Sequence, residues 1–266
     1  MNDTDLSFEL ELIAMANGGS ALGRHDGRAV FVPYTIPGER VRVRITEERG
    51  RVAFAEGLTL IEASADRVFP TCPHFGPGRC GRCQWQHIRY EAQLLLKLDV
   101  LADQLSRIGG FSDSALEQAL QPVIASASEW GYANHLTLSV TPDGLALPRA
   151  GLPGSVAIDE CRILNADLEG LLDRVQFDSS SKVQRIRLAR GSDGALMLVL
   201  YVLDADDVPE MELDFTASVN LILPDNVPVN LIGDLALTVV ASGRQFRVTA
   251  GSFIRANYDQ LSALSL

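Results

Sequence analysis

The chain has 266 residues, 47% hydrophobic and 21% charged, which is the length of two ordinary domains and the composition of a globular protein. It contains no run of roughly 18 apolar residues that could cross a membrane as a helix, and its opening MNDTDLSFEL carries acids where a secretory leader carries Lys or Arg, so a cytoplasmic protein with no membrane partner is expected. A formal net charge of −11 excludes a uniformly cationic binder of nucleic acid.

The charge is nevertheless unevenly spread. Arg24, Arg28, Arg40, Arg42, Arg44, Arg49 and Arg51 stand against Asp26, Glu39, Glu47 and Glu48, whereas acids gather at Asp204, Asp206, Asp207, Glu210, Glu212 and Asp214. A locally basic segment on an acidic chain is compatible with RNA binding, and a solvated surface of mixed charge gives the same pattern.

Residues 6–62 read as a small β-barrel. Leu6, Phe8, Leu10 and Leu12 alternate with Ser7, Glu9 and Glu11, the period of a half-buried strand. Ala29-Val30-Phe31-Val32-Pro33 is a short apolar strand, and Val41-Arg42-Val43-Arg44-Ile45 puts two arginines opposite its valines. Gly18-Gly19 and Pro37-Gly38 supply turns. About five short strands with basic outward positions suggest an OB-like barrel, a fold that commonly binds oligonucleotides; the fold alone does not establish that use.

A loop rich in Pro and Gly follows, from Pro70 through Cys72, His74 and Cys80-Gly81-Arg82-Cys83. A helix is predicted over Tyr90–Ile108, where Leu94, Leu95, Leu98, Leu101, Leu105 and Ile108 recur at helical spacing and Gly109-Gly110 stops it. Leu96 and Val100 fall off that stripe, so the apolar surface is wide enough to touch neighbours on two sides. Strands are predicted over residues 135–140, 183–188, 195–202, 219–223, 235–240 and 245–248, with Asp143-Gly144, Asp193-Gly194 and Ser242-Gly243 as hairpin turns in a mixed or antiparallel sheet.

The strongest chemical signal is the spacing of Cys72, Cys80, Cys83 and the distant Cys161. Three thiolates from one loop and a fourth from a remote strand or turn is how an iron–sulfur cluster with four cysteine ligands is held. Structural zinc also takes four thiolates, usually as two CxxC knuckles, and here there is one. That favours iron–sulfur over zinc and leaves zinc open, beside the plain alternative of four unrelated buried thiols. A thioredoxin-like redox pair is disfavoured because no βαβ unit precedes the CxxC. His74 could replace a ligand, though a hydrogen bond within the loop is its expected role. HExxH, GxSxG, Walker-type and GxGxxG motifs are all absent.

Taken together, these segments resemble the amino-terminal part of the RNA uracil-5-methyltransferase family, which modifies tRNA and rRNA. Asn17-Gly18-Gly19-Ser20-Ala21-Leu22-Gly23-Arg24, Asp26 to Pro33 and Ile36-Pro37-Gly38-Glu39-Arg40-Val41 resemble a TRAM domain. Cys80-Gly81-Arg82-Cys83-Gln84-Trp85-Gln86-His87-Ile88, Trp130-Gly131-Tyr132-Ala133-Asn134-His135 and Ile158-Asp159-Glu160-Cys161 are similar to its central domain, and Ala250-Gly251-Ser252-Phe253-Ile254-Arg255-Ala256-Asn257 to the opening of its methyltransferase domain. The resemblance implies a [4Fe–4S] cluster on Cys72, Cys80, Cys83 and Cys161, with a structural role or one in RNA binding. It also implies an RNA grip by barrel and central domain, and S-adenosylmethionine chemistry in a downstream domain where a cysteine attacks uracil C6.

The expected architecture is therefore a β-rich α+β chain: an OB-like barrel over 1–62, a mixed α/β central domain with the four-cysteine cluster loop and helix 90–108 over 63–250, and over 251–266 the start of a truncated methyltransferase domain. No cysteine follows Cys161, and Arg255 stands where a glutamine is expected to approach the cofactor. These features predict an RNA-binding, iron–sulfur portion that is inactive alone, uses S-adenosylmethionine only if the missing domain is supplied, and has no assignable catalytic or cofactor-binding residue. The alternatives are a stand-alone RNA-binding module, served by a separate catalytic chain, and a zinc-stabilised structural protein. Arg24, Arg40, Arg42 and Arg44 are expected to contact RNA phosphates.

Overall fold

The computed structural model describes residues 7–177, 182–204, 206, 207, 209 and 213–264; Leu6, Glu210 and Glu212 lie outside the described residues. The chain divides into two compact units, one of Met1–Pro77 with Cys83–Ala125 and one of Gly78–Arg82 with Ser126–Leu266.

The first unit is built on a closed barrel of β1 (Ser7–Met15), β2 (Ala21–His25), β3 (Arg28–Val32), β4 (Arg40–Arg49) and β5 (Val52–Glu62), in the order β1-β2-β3-β5-β4. Alternation decides what is inside: Leu10, Leu12, Val30, Val32, Val41, Val43, Ala53 and Ala55 are buried, and their sequence neighbours face outward. The barrel and the outward arginines of β4 are as the alternation predicts. Asp26 and Gly27, at φ 49° and 75°, make the tight β2–β3 hairpin. Gly23 is required by close approach, since a Cβ there would lie 2.5 Å from the Glu11 carbonyl oxygen.

Helix α1 (Tyr90–Arg107) belongs to this unit rather than to the central domain with which the sequence grouped it. Ala92, Leu96 and Val100 pack against the barrel core, whereas Leu95, Leu101 and Ile108 of the predicted stripe are exposed. The off-stripe residues are thus the ones that dock the helix. Ser112 caps the short α2 (Asp113–Ala119), its Oγ accepting from the Ala115 amide at 3.3 Å.

The second unit carries a seven-stranded sheet in the order β12-β11-β10-β9-β6-β7-β8 and a separate β13–β14 hairpin. Its strands are β6 (His135–Thr141), β7 (Gly144–Pro148), β8 (Ser155–Ala157), β9 (Arg185–Arg190), β10 (Leu196–Tyr201), β11 (Ser218–Ile222), β12 (Pro228–Ile232), β13 (Ala236–Ala241) and β14 (Arg244–Thr249). The sheet is mixed, with β10–β11 parallel and the other pairs antiparallel. Strand β10 reads as a continuous apolar run because both its faces are covered: Leu198 and Leu200 join one core with Leu136, Leu188 and Leu168, and Met197 and Val199 join another with Leu237 and Ala250. Among the described residues the unit also holds two short helices, α3 (Ala166–Glu169) and α4 (Tyr258–Ala263).

Residues 251–264, expected to open a separate domain, pack on this unit instead. The Tyr258 hydroxyl donates to the Arg190 carbonyl at 2.9 Å, and Asn257 caps α4 through Gln260. Among the described residues, no helix is long and apolar enough to cross a membrane.

Candidate functional site

In the first unit the flanks of the cysteine loop are fastened by a buried ion pair. Glu39, fully buried, accepts from Arg67 Nε at 2.5 Å and Nη2 at 2.7 Å, from the Ile36 amide at 2.9 Å and from the Ser64 amide at 3.2 Å. Arg67 also donates to the Tyr34 carbonyl at 3.0 Å, tying the β3–β4 turn to the segment that leads into Cys72. Tyr34 holds φ at 62°, meets Phe75 edge-on at 5.4 Å, and donates its hydroxyl to the Gly76 carbonyl. Phe75 in turn stacks on His87 at 5.8 Å.

His87 is 2% exposed, with Nε2 placed 3.5 Å from the Thr35 carbonyl and Nδ1 without a hydrogen-bond partner among the described residues. Burial, reinforced by the Arg67 charge, pushes its pKa down to about 4. Trp85 Nε1 donates to the Gly19 carbonyl at 2.9 Å, so the Trp and His that follow the CxxC both serve to hold the loop on the barrel.

The loop tip belongs to the second unit. The Gly81 amide donates to the Pro148 carbonyl and the Ala150 amide to the Arg79 carbonyl, each at 2.8 Å, and Cys80 bridges Arg149. A Cβ on Gly81 would meet the Arg149–Ala150 backbone at 3.2 Å. Cys161 is buried and its amide donates to Glu169 Oε1 at 3.2 Å; Cys80 packs against the same core cluster.

Cys72 and Cys83 therefore fall in the first unit, and Cys80 and Cys161 in the second. None of the four is in a disulfide, so their sulfurs are in the reduced form that a metal takes up as thiolate. Among the described residues, however, no group of three or more Cys, His, Asp or Glu side chains is gathered to hold a metal ion. The donor type fits an iron–sulfur cluster, and no chemical step is derived through one.

The predicted RNA-contacting arginines lie outside the barrel as expected, but three of them meet glutamates. Arg40 Nη2 lies 2.6 Å from Glu62, Arg42 Nη2 3.0 Å from Glu9 and Arg44 Nη2 2.6 Å from Glu56, giving β4 a charge-balanced face. Arg24 is exposed on β2. The glutamates come from β1 and β5, so spacing within β4 could not reveal them.

The segment matching Trp130 to His135 forms the second unit's other notable feature, because residues 252–258 are laced to it. The Asn134 amide donates to the Ala256 carbonyl at 2.9 Å, His135 Nε2 lies 2.7 Å from the Ile254 carbonyl, and Arg187 Nη1 donates to the Ser252 carbonyl at 3.0 Å. Burial, together with Arg187 and Arg82, lowers the His135 pKa to about 4, so the imidazole is neutral and its Nε2 hydrogen is the donor to Ile254. Phe253 and Arg255 are left exposed on this strap.

Residues 10–58 match the TRAM domain. The chain is similar to an uncharacterized RNA methyltransferase of Streptomyces avermitilis, 30% identical over 258 residues that cover 92% of this chain and 59% of the relative. It is also similar to the 23S rRNA (uracil(1939)-C(5))-methyltransferase RlmD of Alkalilimnicola ehrlichii, 31% identical over 71% of this chain and 44% of that one. Among solved structures, the Pyrococcus abyssi tRNA (uracil-54, C5)-methyltransferase in complex with S-adenosyl-L-homocysteine shares the fold, with a TM-score of 0.64 at 21% identity, over 96% of this chain and 63% of that one. The chain thus spans less than two thirds of the length of these proteins.

These matches correct the expectation of a missing methyltransferase domain and of a portion inactive alone. The likeness to methyltransferases extends over 92% of the chain in sequence and 96% in fold, and is not confined to an RNA-binding module. The expectation took the position of Leu266 as the limit of a function; a cysteine not found beyond Cys161 is no measure of what the protein does. Nor do the matches call for a separate catalytic chain. The Glu39–Arg67 pair has a single signal in the sequence, an acid inside a turn that otherwise reads as Pro-Gly.

Proposed function

We propose that this protein works in the S-adenosylmethionine-dependent C5-methylation of uracil in rRNA or tRNA, in the cytoplasm. The observation that carries this reading is the similarity to RNA methyltransferases along 92% of the chain, joined to a closed barrel at the TRAM match. S-adenosylmethionine supplies the methyl group in such a reaction, and no residue of this chain is assigned to it.

The chain's own residues hold RNA. Arg24, Arg40, Arg42 and Arg44 are the proposed phosphate contacts on the barrel, where exposed ion pairs such as Arg42–Glu9 contribute only about 0–1 kcal/mol and yield readily to a phosphate. RNA binding measured against salt tests them: Arg42→Ala with Arg44→Ala should flatten the salt slope by about 0.7–0.9 for each phosphate no longer neutralised. An unchanged slope removes those two residues from the interface.

Cys72, Cys80, Cys83 and Cys161 are proposed as ligands of a [4Fe–4S] cluster, supported by their spacing and by none of them being in a disulfide. Anaerobically purified protein should then contain about four iron and four acid-labile sulfide per chain. About one zinc without sulfide would assign the same thiols to a structural tetrahedral site instead.

A further inference from the structure

The outer surface of the barrel holds a second arginine group that differs from the β4 face in both partners and setting. A register shift between Ile45 and Glu47 re-aims the end of β4, so that Glu47 pairs with Phe54 and Arg49 with Val52. Across the neighbouring strands, Leu22 pairs with Phe31 and Phe31 with Phe54, while Arg24 pairs with Ala29 and Ala29 with Val52. Two adjacent rows result: an apolar row of Leu22, Phe31 and Phe54, and a row with Arg24 and Arg49 at its ends and the small Ala29 and Val52 between.

Phe31 and Phe54 stack with ring centroids 5.7 Å apart, Phe54 is 36% exposed, and the Arg49 guanidinium lies 5.4 Å over its ring. Arg28 and Arg51 join the group at the hairpin ends, where the Ala29 amide donates to the Arg51 carbonyl at 3.1 Å. Arg28 pairs with Glu48 and Arg49 with Glu47, both at 2.6 Å. Among the described residues, Arg24 and Arg51 have no ion-pair partner and are exposed.

We propose that this end of the barrel binds an unpaired stretch of RNA, with a base stacked on Phe54 and the backbone held by Arg24 and Arg51. An aromatic surface beside unneutralised cations fits a single strand, whose bases are free to stack; a duplex buries its base faces and offers only its backbone. The β4 face of Arg40, Arg42 and Arg44 carries no such ring among the described residues. This inference deepens the RNA-binding reading and rests on it.

The test is fluorescence anisotropy with the full chain, using a labelled unstructured oligoribonucleotide and, as competitor, a duplex of equal length. Phe54→Leu, which keeps apolar bulk and removes the ring, should weaken single-strand binding about tenfold and leave duplex binding unchanged. Arg24→Gln with Arg51→Gln, exposed changes that leave the fold intact, should lower the single-strand salt slope by about 0.7 per arginine. Single-strand binding by the wild type that both sets of changes leave unaltered overturns the assignment to this barrel end while keeping RNA binding. Equal losses on single strand and duplex overturn the stacking mode. No binding of either RNA by the wild type overturns this proposal together with the RNA-binding reading.

Discussion

On folding, the Glu39 carboxylate loses its hydration entirely, and a buried carboxylate is tolerated only when its oxygens are filled. Here two guanidinium bonds and two backbone amides fill them. Removing one partner of such a pair leaves the other uncompensated. Glu39→Ala should therefore lower unfolding free energy by about 3–5 kcal/mol in urea titration, whereas replacing Glu39 and Arg67 together by Met should cost much less. His87 gives a prediction in pH. Its folded pKa of about 4 lies below the ordinary histidine value near 6.5, so the unfolded chain takes the proton first. Stability from this residue is complete above about pH 6.5, falls as pH drops towards 4, and is level below that. His135 adds a dependence of the same sign. The urea midpoint should fall between pH 7 and pH 5, and His87→Gln should reduce that fall; equal falls in both proteins would contradict the burial account.

At the scale of elements, helix α1 separates what the sequence could tell from what it could not. Helical spacing located the helix within one residue of its observed end, because apolar periodicity and a Gly-Gly stop are local properties. Which face docks is not local: the barrel accepts Ala92, Leu96 and Val100 and leaves Leu95 exposed. Leu96→Ala should accordingly destabilise by about 1–2 kcal/mol, below the range for fully buried leucines, while Leu95→Ala should stay within about 0.5 kcal/mol. Thermal unfolding of the two variants ranks the faces directly. Strand β10 was legible because a run buried on both faces is apolar throughout, but β7, β8 and β12 were not, being short and carrying Gly144, Pro148 and Pro228. The cysteine loop was legible as spacing alone. Its division between two units depends on backbone bonds at Gly81 that no local pattern encodes. Gly81→Ala should detach the tip, read as faster amide exchange at residues 79–81 with the barrel unchanged.

For the molecule as a whole, a net charge of −11 means that the proposed RNA affinity has to come from local fields, not from the global one. At its β2–β3 and β4–β5 hairpin ends the barrel exposes Arg24 and Arg51 with no ion-pair partner among the described residues, beside Arg28 and Arg49 paired with Glu48 and Glu47. Similarity over nearly the whole length joins that barrel to RNA methyltransferases, and the shared fold extends across the second unit. The proposed reaction is methylation of uracil at C5 in RNA. Nucleoside mass spectrometry of rRNA and tRNA from cells with and without the gene tests it most directly. Loss of 5-methyluridine from one of the two RNA fractions, restored when the gene is returned, is the expected result; unchanged 5-methyluridine in both fractions would overturn the proposed reaction.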